Sequence, residues 1–96
     1  MNLHIVALFK FNESYLMEAV EFFQKLIRET RKENGCLQYE LVEDKDQKGT
    51  FFLIELWESA EHHSRHDATD HLFEFRNNIS KILTETIQVY KGYKIY

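Results

Sequence analysis

Thr50 to Trp57 (TFFLIELW) constrains the fold more than any other stretch of this chain. A strand with one face in water alternates apolar and polar residues. This one holds Phe51, Phe52, Leu53, Ile54, Leu56 and Trp57, with Glu55 as its only charge. Phe51, Leu53 and Trp57 point one way, and Phe52, Ile54 and Leu56 the other. The stretch therefore reads as a central strand covered on both faces. One layer of helices covers one face, so something else must cover the second. Glu55 lies on the Trp57 face, where two readings stand: a carboxylate lining a polar cavity, or one salt-bridged at the strand's rim.

The flanking segments supply the helices. Leu3 to Phe11 reads as a first strand, and Asn12 to Ser14 as a cap before a long helix. Leu16, Ala19, Val20, Phe23, Leu26 and Ile27 form that helix's apolar stripe. Asn34-Gly35 is expected to end it, with Gly35 at the left-handed position after the last turn. A second strand over Cys36 to Glu43 joins the central one through the polar turn Asp44 to Gly49, making a hairpin. Ser59 caps a short helix over Ala60 to His66. A further helix runs from about His71 to Thr84, and a last strand from Ile87 to Tyr96. The order β-α-β-β-α-α-β is an α+β, ferredoxin-like arrangement: an antiparallel sheet with its second helix broken in two. Helices on one side leave the other side bare, and a second copy packed sheet against sheet is the simplest cover. A homodimer is expected.

Composition narrows the function. Ninety-six residues make a single domain, residues 1–96. An aromatic share of 15% points to a pocket or an interface as well as a core. The net charge of −4 argues against nucleic acid, since no Lys/Arg cluster can neutralise a run of phosphates. The lone cysteine, Cys36, fits a reducing compartment. No apolar run approaches the roughly 20 residues needed to cross a bilayer. The start of the chain lacks the basic segment of a signal peptide and reads as a strand. A soluble, cytoplasmic protein with no membrane partner is expected.

Several residues then fall into a recognisable spacing. Gly35-Cys36-Leu37-x-Tyr39 is followed by Glu55-x-Trp57-x-Ser59, with His66 nine residues past the tryptophan and His71 five further on. With these motifs the sequence resembles the antibiotic-biosynthesis monooxygenase domain family, small dimeric ferredoxin-like α/β barrels. The resemblance covers nearly the whole chain in element order. It implies a dimer and a cavity between sheet and helices in each subunit. It also implies one of several activities: cofactor-free oxygenation of aromatic polyketides or quinols, heme degradation, or isomerisation of a small phosphorylated metabolite.

The polyketide-oxidising pattern has an Asn four residues before the Trp, a Tyr six after it and an Arg about twenty after it. Here Leu53, His63 and Arg76 stand near those places. The heme-degrading pattern has an Asn in the first strand, a Trp at the His66 position and a His at the Arg76 position; none is present, and Phe9 stands near the expected Asn. The quinol-oxidising and isomerase-like patterns share His66 and His71.

Cofactor-free oxygenation needs an apolar slot, a base that titrates near neutral pH, and a donor or cation for the developing oxyanion. His66 and His71 are the candidate bases, and Arg76 the candidate anion holder. Trp57, Phe51, Tyr39 and Glu55 are the candidate substrate-binding residues. Each has a structural reading beside it: His66 satisfying a helix end, His71 capping, Trp57 as core bulk, Arg76 lying along its helix. No flavin, nicotinamide or heme signature is present, so no cofactor is expected. His62 and His66 have the spacing of paired helical metal ligands, but no third ligand is evident nearby in sequence, and no native metal is expected. Cys36 opens a strand with no neighbouring cation and reads as filler. The function read here is a monooxygenase acting on a quinol or small polyphenol. The alternatives are an isomerase of a small phosphorylated metabolite and a non-catalytic binder of a small ligand.

Overall fold

The computed structural model describes residues 1–96. Its elements are β1 (Leu3–Lys10), α1 (Leu16–Thr30), β2 (Cys36–Glu43), β3 (Thr50–Trp57), α2 (Ala60–Asp67), α3 (Asp70–Ile79) and β4 (Gln88–Tyr93). The four strands form one antiparallel sheet in the order β2-β3-β1-β4. β3 is an interior strand, paired on both edges, as its apolar sequence requires.

Alternation sets which side chains meet the helices. In β3, Phe51, Leu53, Glu55 and Trp57 are buried, while Phe52, Ile54 and Leu56 are half-buried. The buried set packs with Ile5, Ala7 and Phe9 of β1, Phe23 and Leu26 of α1, and Phe75 and Ile79 of α3. At the centre, the Phe23 ring lies 5.0 Å from Phe9 edge-on and 4.9 Å from Phe75. These ring contacts are worth on the order of 1 kcal/mol each beyond the area they bury. The opposite face carries Val6, Leu8, Phe52, Ile54 and Leu56 with no helix over it. The second face of β3 is thus bare in the single chain.

Two glycines are required where they stand. Gly49 (φ +87°) closes the β2–β3 turn, and a Cβ there would meet the Phe11 carbonyl. Asp44 Oδ2 accepts the backbone N–H groups of Asp46 and Gln47 in the same turn, a side-chain mimic of a backbone bend. Gly35 (φ +86°) packs against the His62 ring, where a Cβ would collide.

Some expected boundaries move. α1 ends at Thr30, and its cap, Arg31, is itself right-handed, so Gly35 is not the residue that ends the helix. It instead turns the chain into β2. Residues 31–35 form the intervening turn, which carries Glu33. α3 stops at Ile79, short of Thr84, whose N–H instead bonds Lys10 O at 2.9 Å. The Asn12 cap works on a short 3-10 turn, Glu13–Tyr15, that leads into α1. β4 ends at Tyr93, and its inward residues Val89 and Tyr93 are each 50% exposed, because no helix reaches over this edge.

Candidate active site

The gap between β4 and the helices becomes a cavity of about 280 Å3. Its floor is apolar: Ile5, Ala7, Phe9 and Leu53 from the sheet, with Leu72 and Phe75 from α3. Its polar groups gather at one end, where Tyr39, Glu55, His63, His66, Asp67, Arg76 and Lys91 converge. An apolar slot with a few grouped polar residues is the usual form of a small-molecule site.

Of the two candidate bases, His66 is the one that lines the cavity. It is 2% exposed, carried on the inner face of α2, and Ser59 fixes the start of that helix by accepting the N–H of His62. Its Nδ1 lies 2.7 Å from Oε2 of Glu33. A carboxylate there holds the proton on Nδ1 and leaves the Nε2 lone pair free. Nε2 faces the Tyr39 hydroxyl at 3.4 Å, a long contact that a substrate hydroxyl can displace. Burial lowers the His66 pKa below its ordinary value, partly offset by Glu33, which favours the neutral ring that can accept a proton. Burial holds the Tyr39 hydroxyl well above its usual pKa, so it remains a proton donor.

Glu55 is the second polar feature. It is 7% exposed, and its Oε1 accepts the indole N–H of Trp57 at 2.9 Å. Burial pushes its carboxyl up to about 7, against the opposing effect of the Trp57 bond. It lines the cavity and makes no ion pair at the rim, which favours the first of the two readings of this residue. Arg76 also lines the cavity, with its guanidinium 3.5 Å from Asp67 and its side chain still 55% exposed. Lys91 faces the same space from β4.

Three sequence expectations shift. Phe51 does not line the cavity: it lies further along β3 beneath α1, 5.8 Å from Phe23 and 5.9 Å from Phe11, as part of the core. Trp57 is fully buried and stands behind the wall, its ring 4.8 Å from His66 and 6.3 Å from Tyr39, so its reach into the cavity is through Glu55. His71 is also outside the lining; its Nε2 binds Glu33 Oε2 at 2.7 Å, from the side away from the cavity. Sequence reasoning missed Glu33, a charge in a polar turn that looks solvated until the fold brings two histidines to it. His63 entered the sequence reading only at the Tyr position of the polyketide-oxidising pattern, and Asp67 was given no role there. Cys36 is not activated: burial, with Glu33 and Glu55 nearby, pushes its thiol up to about 11.

Comparison with known proteins agrees with this architecture. The family model described as antibiotic biosynthesis monooxygenase matches residues 2–78. A relative named "Putative monooxygenase YcnE", from Bacillus subtilis, is 30% identical over 80% of this chain and 77% of its own length. An uncharacterized protein of Synechocystis, sll1783, is 28% identical over 81% of this chain, which spans only 52% of that relative. A crystal structure titled a putative antibiotic biosynthesis monooxygenase from Caulobacter crescentus superposes with TM-score 0.94 at 21% identity, covering 99% of this chain and 91% of its own. No helix is long and apolar enough to cross a membrane.

Proposed function

The chain belongs to the antibiotic biosynthesis monooxygenase family, and from that premise we propose that it is a cofactor-independent monooxygenase of a quinol or small polyphenol. The observation that carries this reading is the pairing of Glu33 with His66 behind a mostly apolar cavity of about 280 Å3. A cavity of that size suits a molecule of one to three fused rings.

His66 Nε2 takes the proton of the substrate hydroxyl, and Glu33 stabilises the imidazolium that results. The electron-rich anion then reduces oxygen directly. Carbon–oxygen bond formation and loss of water follow, so that a quinol and O2 give a hydroxyquinone and water. Tyr39 and Glu55, both protonated in part or whole near neutral pH, donate to the oxygen that carries charge. The apolar floor holds the ring and excludes bulk water.

The working unit is a cytoplasmic homodimer, with the bare face of Val6, Phe52, Ile54 and Leu56 set against a second copy. Formation of hydroxyquinone in air and its absence under nitrogen tests the oxygenase. A second reading has its own support: Arg76 and Lys91 both face the cavity, an arrangement suited to a phosphorylated metabolite. Conversion that proceeds equally under nitrogen marks that isomerase.

A further inference from the structure

Three side chains that are remote in sequence meet behind the cavity wall. Glu33 comes from the turn after α1, His66 from α2, and His71 from the first turn of α3. Their ligand-competent atoms all lie within 4.8 Å of one another. His66 Nδ1 and His71 Nε2 each approach the same carboxylate oxygen, Glu33 Oε2, at 2.7 Å. We propose that Glu33, His66 and His71 form a binding site for a divalent transition metal of the zinc class.

The donor set selects the metal. Two imidazole nitrogens and one carboxylate oxygen suit zinc and its neighbours and do not suit magnesium or calcium, which take oxygen ligands. Three protein ligands leave a fourth position for water. Bonds of about 2.0–2.2 Å in a tetrahedron put ligand atoms roughly 3.4 Å apart. Each imidazole must therefore draw back from the shared oxygen by less than an ångström, while the two ring nitrogens, within 4.8 Å of each other, settle to the same separation. His71 has room to move, since its side chain is 21% exposed, and Glu33 sits in a turn. The spacing of His62 and His66 suggests a different pair, but the structure separates them: His62 Nδ1 lies 2.7 Å from the Ser59 hydroxyl, while His66 Nδ1 turns to Glu33.

Metal binding has a consequence that rests on the oxygenase reading. A metal on Nδ1 displaces the proton of the neutral ring to Nε2, the atom that faces Tyr39. His66 then becomes a donor where the reaction needs an acceptor. The metal form is the silent form.

The test is calorimetric titration of zinc ion into chelator-treated protein, for wild type, Glu33→Gln, His71→Ala and His62→Ala. Thermal melts in chelator establish that each variant folds, and the partly exposed His71 supplies the variant least able to disturb the core. The site requires one zinc per chain in wild type and in His62→Ala, with affinity weakened by about tenfold or more in Glu33→Gln and His71→Ala. Cobalt in place of zinc should give visible absorption of a tetrahedral ion, lost in the same two variants. No binding overturns the proposal, as does equal binding by wild type and the Glu33 and His71 variants, or binding lost only in His62→Ala. Because these readouts need no turnover, a protein that binds zinc but consumes no oxygen keeps the metal site and loses the oxygenase.

Discussion

The indole N–H of Trp57 donates to Oε1 of Glu55 at 2.9 Å, joining alternate residues on one face of the central strand. The bond gives a buried carboxyl its one protein partner and aims it at the cavity. Trp57→Phe removes that donor and some core volume together. It should lower stability by about 1–3 kcal/mol, measured by urea unfolding near pH 7. An unchanged midpoint would mean that neither the bond to Glu55 nor the lost volume stabilises the fold.

Glu55 also makes stability depend on pH. Its folded-state pKa of about 7 lies above the ordinary 4.5, mainly because burial disfavours the charge. The stability it contributes is therefore complete below about pH 4.5 and is lost as pH rises through 7. Glu55→Gln keeps an acceptor for Trp57 and cannot ionise. It should match wild type near pH 4.5 and exceed it well above pH 7 by up to about 3 kcal/mol. Parallel stability curves for the two proteins across that range would contradict the assignment.

In the proposed mechanism Glu33 acts on His66 by position, 2.7 Å from its Nδ1. Glu33→Gln leaves an acceptor near Nδ1 but removes the charge that stabilises the imidazolium. Oxygen uptake should fall by on the order of 10²-fold, chiefly in kcat and with little change in KM. His71→Ala, on the far side of Glu33 from the cavity, should fall by much less. An equal loss in the two variants would indicate that His71 reaches the reacting atoms.

The bare sheet face is the proposed dimer interface. In sedimentation, the wild type should run at twice 11.6 kDa at micromolar concentration. Ile54→Lys places a charge at the centre of that face and should yield a monomer with its cavity intact. A wild-type monomer would leave the half-buried Phe52, Ile54 and Leu56 without the cover that the sequence of β3 demands.

Local pattern made much of this fold legible. The continuous apolar run of β3 gave away an interior strand, and Asp44 to Gly49 gave the hairpin, because both signals lie within a few residues. The element order followed from the same kind of signal. The site was harder. Alternation assigns Phe51 to the correct face of β3 but does not say what lies above it, and that is Phe23 of α1. His66 and His71 were singled out together, yet one reaches the cavity and the other does not, because Glu33 stands between them. That Glu33 joins them depends on contacts across 33 and 38 residues, which no local period encodes. Arg76 and Glu55 meet in the cavity for a similar reason: they come from α3 and β3, which only the fold brings over one space.

The most direct measurement is oxygen uptake by chelator-treated protein with a panel of reduced quinones and anthrone-like phenols, with His66→Ala alongside. Uptake should exceed each substrate's own autoxidation for at least one compound, and the variant should lose about 10²- to 10⁴-fold of that excess. Uptake equal to autoxidation across the panel, or undiminished in His66→Ala, would contradict the account of His66 as the base of an oxygenase.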